Sequence, residues 1–285
     1  VAEYDGPIVD AHHHLWRYEA SRYPWLKGRS LARDFTEHDY ARAFPEHHIA
    51  GTVWIEALAG NPEKEMAEAE AVRQATAGRV CTALIGHVPL DTADVEARLD
   101  RFMAISPAFR GVRDILSPPH CRAPDTLEQP SFVAGLRALA ARNLIFDAML
   151  SPTQMAGAAE AFSQVPDLKV AIEHVGNPHD RSAEGLRIWQ DGLHLLSKIP
   201  GCIIKVSALQ CLEPDWSDAS LGRILDPAVR YFGPDRMCLG SDWPVHDETC
   251  PGSEALRTFQ RLTASWSHDE QTALFYGVAR TFYRI

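Results

Sequence analysis

Pro7-Ile8-Val9-Asp10-Ala11-His12-His13-His14 is the segment on which the reading of this chain turns. It begins as a short apolar run, the pattern of a strand buried on both faces. It ends in a cluster of polar side chains. Strand side chains alternate with period two, so Asp10, His12 and His14 are expected on one face and His13 on the other. Three polar groups facing a protein interior are costly unless they bind a ligand or one another.

Similar apolar runs recur at 51–57, 80–88, 109–116, 144–150, 169–175, 202–208 and 236–240. Amphipathic stretches separate them, at 62–77, 92–105, 130–142, 152–162, 182–198, 217–232 and 253–266. Ser267-His268-Asp269-Glu270 reads as a capping box opening one more helix. Strands alternating with helices imply a parallel sheet with helical crossovers. Eight such units predict an α/β fold, a closed (β/α)8 TIM barrel with some distortion, as a single domain over residues 1–285. Barrels of ~250 residues routinely form one domain. An open doubly wound sheet is the alternative, but the Gly-rich loop of its nucleotide-binding form is missing after the first run.

Composition narrows the function. Lys and Arg number 28 against 38 Asp and Glu, a net charge of −10. That balance argues against nucleic acid, whose phosphates need clustered cations. No run approaches the ~20 apolar residues of a membrane span. Val1–Asp5 lacks the basic and apolar regions of a signal peptide. The cysteines form no CxxC pair and are expected to be reduced and mostly buried, which fits a cytoplasmic protein. A small-molecule substrate is the expected partner, and assembly into a homo-oligomer stays open.

The chemistry concentrates at strand ends, where barrel enzymes carry their sites. His12 and His14 suit two imidazoles converging on one ion or one carbonyl. In a closed barrel the eighth strand adjoins the first, so Gly240-Ser241-Asp242-Trp243-Pro244 places Asp242 beside them as a base or a ligand. On the sixth strand, alternation turns either Glu173 or His174 inward, and His174 lies nearer the active end. Lys205 on the seventh reads equally as a pocket charge or a structural ion pair. Arg113 on the fourth suits a substrate carboxylate or oxyanion, or a salt bridge to Asp114 or Glu56. Glu56 and Asp147 are weaker candidates, and His87 is expected in the core. Most of the remaining histidines, His179 among them, are expected in solvent, with His120 and His246 as possible exceptions on active-end loops. Trp16, Trp25 and Arg29, in the long segment after the first strand, would shape the pocket with Arg113.

Several of these segments together resemble the amidohydrolase-related family of TIM-barrel hydrolases, in its lactonase branch. They are Asp10-Ala11-His12-His13-His14-Leu15-Trp16, Tyr23-Pro24-Trp25-Leu26, Gly111-Val112-Arg113, His174-Val175-Gly176-Asn177-Pro178, Lys205-Val206-Ser207 and Gly240-Ser241-Asp242-Trp243-Pro244-Val245. They occur in the family's order and span essentially the whole chain. The resemblance implies hydrolysis of a lactone, of the sugar-acid, dicarboxylate or muconolactone type. It implies His12, His14, His174 and Asp242 as site residues and Arg113 as a substrate contact. Two-metal members carry a carboxylated Lys on strand four and a His on strand five. Here Arg113 and Asp147 stand there, which argues against a binuclear centre. One divalent ion, zinc first, on His12, His14 and Asp242 is compatible with the sequence, and so is metal-free catalysis.

The expected reaction is attack of water, deprotonated by Asp242, on a lactone carbonyl polarised by the histidines or by a metal they hold. A metal-dependent decarboxylase on the same frame is the second reading, and a non-catalytic binding protein the third.

Overall fold

The computed structural model describes residues 4–117, 123, 125–213 and 215–285. Eight strands lie at the expected places: β1 (Ile8–His13), β2 (Ile49–Ile55), β3 (Ala83–His87), β4 (Phe109–Ile115), β5 (Ile145–Met149), β6 (Lys169–Ile172), β7 (Cys202–Val206) and β8 (Met237–Leu239). All pair in parallel and in chain order. Past the end of β8 the chain meets β1. Asp242 N–H donates to the His12 carbonyl and His14 N–H to the Trp243 carbonyl, each at 2.7 Å. These bonds bring the eighth strand end back to the first and define a (β/α)8 barrel. Gly240 permits the approach, because a Cβ there would lie 2.6 Å from the Cβ of His12.

Helices α1 (Glu37–Ala43), α2 (Pro62–Ala75), α3 (Val95–Ile105), α4 (Pro130–Ala141), α5 (Met155–Ser163), α6 (Ala183–Ser197), α7 (Asp218–Phe232) and α8 (Gly252–Leu262) follow the strands in turn. Ser267 caps α9 (His268–Thr272) through the expected capping box. The last helix, α10 (Val278–Tyr283), closes the N-terminal mouth. Its Ala279 and Tyr283 pack against Val9, Val53, Ile85 and Ile203 in an apolar cluster inside the barrel. Among the described residues no helix is long and apolar enough to cross a membrane. Cys81, Cys202, Cys211, Cys238 and Cys250 are free thiols; Cys121 and His120 lie outside the described residues.

One expectation about β1 is corrected. Asp10 does not share a face with His12 and His14. The pairing of β1 with β2 steps from Asp10↔Thr52 to His13↔Trp54, three residues against two. That extra residue is a bulge, which re-aims the side chains beyond it. Asp10 therefore points outward and accepts from Tyr40 Oη on α1, Ser241 Oγ and Ser241 N, at 2.7, 2.7 and 2.8 Å. It braces β1 against the turn that carries Asp242. Beyond the bulge, His12 and His14 face inward while His13 faces out against Thr52 Oγ1 and the Tyr40 ring.

Candidate active site

His12 Nε2, His14 Nε2 and Asp242 Oδ1 form a nearly equilateral triangle. The two nitrogens are 3.2 Å apart, and Asp242 Oδ1 lies 3.3 Å from the first and 3.4 Å from the second. All three residues are buried. The hydrogen on the His14 ring can be placed by its far nitrogen. His14 Nδ1 sits 2.8 Å from the Ile55 carbonyl, which only accepts, so Nδ1 bears the hydrogen. His12 Nδ1 faces the Glu173 carboxylate at 3.4 Å. With the hydrogen of a neutral His12 on Nδ1 as well, both Nε2 atoms are bare and three lone-pair atoms converge on one point. A bound cation relieves that crowding. The triangle also has the right size for an ion. Tetrahedral coordination at ~2.05 Å places ligand atoms about 3.3 Å apart.

The positions follow from local backbone. Asp242 stands in the left-handed region, at φ 55°, a conformation Asp tolerates better than most residues. His174 and Val175 follow β6 at φ 52° and 51°. Two successive left-handed residues break alternation, so Glu173 and His174 both turn inward, where period two allowed only one. His174 joins the site, its ring centroid 4.8 Å from that of His12 and its Nδ1 2.9 Å from Ser207 Oγ. Glu173 lies buried beneath it.

Burial sets the protonation of the cluster. It pushes His174 down to about 4 and, with the charge of Lys205, holds His12 well below its usual value. Both imidazoles are therefore neutral at pH 7. Burial alone would raise Asp242. The close approach of His14 and the field of the surrounding histidines together outweigh it and hold the carboxyl below the ordinary aspartate value. Asp242 is thus ionised and able to accept a proton.

The triangle opens on a cavity of about 290 Å³. Trp25, Arg29, Arg113 and His174 line it with His14 and Asp242. Trp25 donates its Nε1–H to the Ala57 carbonyl at 2.8 Å, and Arg29 stacks on its ring while pairing with Glu248 at 2.5 Å. Arg113 edges the cavity, but two carboxylates engage its guanidinium. Its Nε donates to Glu56 Oε1 at 2.6 Å, and its Nη1 lies 3.6 Å from Glu173 Oε2. Glu56 also accepts from Leu58 N and stays below its usual value, because the Arg113 and His87 charges and these hydrogen bonds together outweigh burial. Of the two readings of Arg113, the salt bridge is the one the contacts describe.

Two expected pocket residues lie elsewhere. Trp16 packs behind Trp25, edge-on at 5.9 Å, and spends its Nε1–H on the Arg33 carbonyl. Lys205 is fully buried below the site, paired with Asp147 at 2.7 Å. The ion-pair reading of Lys205, and not the pocket charge, describes its position. Two histidines gave no firm sequence signal. His179 lines the cavity just past the β6 end, and its place so soon after His174 was the available clue. His246 is buried with its Nε2 2.9 Å from Gln210 Oε1, and burial lowers it to about 4. His87, expected in the core, is partly exposed and meets the Arg113 carbonyl at 3.2 Å.

A second group of donor atoms, on His12, Glu173 and His174, also lies close together. It is the poorer cation site, because the Arg113 guanidinium already faces Glu173.

A (β/α)8 barrel with an HxH strand and an aspartate at the end of β8 defines the class. The amidohydrolase family model, Amidohydro_2, matches residues 9–285, and the chain belongs to that family. It is 26% identical to protein y4mH of Sinorhizobium fredii, each chain 99% covered. It is 27% identical to an L-fucono-1,5-lactonase of Burkholderia multivorans, over 97% of this chain and 96% of that one. A crystal structure of a Burkholderia multivorans amidohydrolase with bound zinc superposes with a TM-score of 0.88 at 24% identity, over 98% of this chain and all of that one.

Proposed function

We propose that this chain hydrolyses a lactone ring, with Asp242 as the base that activates water. The converging triangle of His12, His14 and Asp242, open to the cavity, is the observation that carries this reading. The likeness to a named lactonase supports it.

The donor set fits a divalent ion, and two imidazole nitrogens with a carboxylate oxygen suit zinc. Bound there, the ion supplies Lewis acidity for the carbonyl and the water. The chain's own residues do the rest. Asp242, ionised and buried, takes the proton from the attacking water. His174 Nδ1 lies 2.9 Å from the Ser207 hydroxyl; with that hydroxyl as donor the ring hydrogen rests on Nε2, and His174 gives it as a hydrogen bond to the developing oxyanion. Asp242 then returns its proton to the departing ring alkoxide, so no separate acid is needed. Trp25 offers an aromatic wall for the ring, and the Arg29–Glu248 pair ties the segment after β1 to the turn after β8 at the cavity edge.

A panel of five- and six-membered sugar-acid and carboxylated lactones, read by a pH indicator, tests the assignment. Hydrolysis releases acid at neutral pH, whereas decarboxylation evolves carbon dioxide and consumes a proton. Acid release by the wild type, reduced about 10³-fold in Asp242→Asn, is the expected outcome. Carbon dioxide evolution, or an Asp242→Asn enzyme of near wild-type rate, contradicts it.

A further inference from the structure

We propose that Glu173 is a positioning residue that fixes the tautomer of His12 and so aims a bare Nε2 at the acceptor triangle. A neutral imidazole carries one hydrogen and can place it on either nitrogen. The two choices have opposite consequences here. A hydrogen on Nε2 would point into the gap shared with His14 and Asp242, and only the lone pair there can serve an ion. Glu173 Oε1 lies 3.4 Å from His12 Nδ1, the carboxylate that faces that side of the ring among the described residues. It selects the tautomer that keeps the hydrogen away from the triangle.

The rest of the barrel holds Glu173 for this task. Its side chain is fully buried, and neither its oxygens nor His12 Nδ1 has any other hydrogen-bond partner among the described residues. Oε1 and Nδ1 thus have only each other, at an electrostatic contact of 3.4 Å and not a formed hydrogen bond. Arg113 Nη1 stands 3.6 Å from Oε2, the oxygen turned away from His12. Arg113 is itself held by Glu56 through Nε at 2.6 Å and through Nη2 to the Glu56 carbonyl at 2.5 Å. A chain of charges thus crosses the barrel from β2 through β4 to the end of β6 and reaches the histidine of β1. It also gives Arg113 a use other than the substrate contact expected of it. The left-handed backbone at His174 and Val175 makes this possible, since a regular strand would turn Glu173 outward whenever His174 faced the cavity.

The tautomer needs no metal, but its effect on affinity rests on the zinc reading above, so the test has two arms. In metal-free wild type with ¹⁵N-labelled histidine, long-range proton–nitrogen correlation spectra should show His12 protonated at Nδ1 alone. Glu173→Gln should show a mixture of both tautomers. It should also bind zinc about 10- to 100-fold more weakly in competition with a chelating dye. Arg113 keeps Glu56 in that variant, which limits damage to the fold. Glu173→Asp retains the charge at greater distance and should fall between the two, also serving if the Gln variant does not fold. Nδ1 protonation lost in Glu173→Gln, in a wild type that takes up no zinc, would uphold the positioning role and overturn the metal reading alone. A hydrogen on Nε2 in the wild type overturns the proposal. So does a tautomer and a zinc affinity, within about twofold, that ignore Glu173→Gln.

Discussion

Two buried polar clusters lie in the same barrel, and they are built on opposite plans. Below the site, Lys205 Nζ donates to Asp147 Oδ2 at 2.7 Å and Tyr283 Oη to Asp147 Oδ1 at 2.8 Å, with the ammonium over the Tyr283 ring. Charge balances, and both Asp147 oxygens meet a donor. At the mouth, His12, His14 and Asp242 bring three acceptor atoms within 3.4 Å of one another. A closed network of this kind serves the fold, whereas an arrangement short of one cation is poised for a ligand. Burial alone does not separate the two, since Lys205, Asp147 and His12 are equally inaccessible. The count of donors against acceptors does.

The comparison breaks most sharply at Lys205. Lys205→Met leaves Asp147 as an unpaired buried carboxylate and should cost ~3–5 kcal/mol in denaturant unfolding. Lys205→Met combined with Asp147→Asn removes the charge while Asn still accepts from Tyr283. Most of the loss should return. A double variant as unstable as the single would show that packing of the lysine stem, and not charge balance, holds that layer.

The upper cluster should answer in the opposite sense and by less. In metal-free protein, Asp242→Asn removes one of three crowded acceptors and supplies an amide donor to the imidazoles. Stability should be unchanged or rise by about 1 kcal/mol, although activity collapses. A loss of several kcal/mol, like that at Lys205, would mean the triangle is structural after all.

The sequence made the barrel legible because its strands are apolar runs at regular spacing. It made His12, His14 and Asp242 legible because the eighth strand must lie beside the first. Where alternation was trusted through an irregularity, it misled. The bulge between Asp10 and His13 turned Asp10 outward, and no residue type near it signals the extra step. The left-handed pair His174 and Val175 turned Glu173 and His174 inward together. The role of Lys205 depended on Asp147, a partner distant in sequence that one strand's pattern cannot reveal, whereas for Arg113 the partner Glu56 was among the expected alternatives but the choice between salt bridge and substrate contact was not legible. Trp16 stood in the right segment, but Trp25 takes the cavity face and leaves Trp16 behind it.

The most direct test of the account is zinc titration of chelator-stripped protein by competition calorimetry, in wild type and His14→Ala. The acceptor triangle predicts one zinc per chain in the wild type and none in the variant. It also predicts that saturation at about 100 times Kd stabilises the wild type by ~2.7 kcal/mol. A wild type that takes up no zinc and still opens lactones at full rate would contradict it.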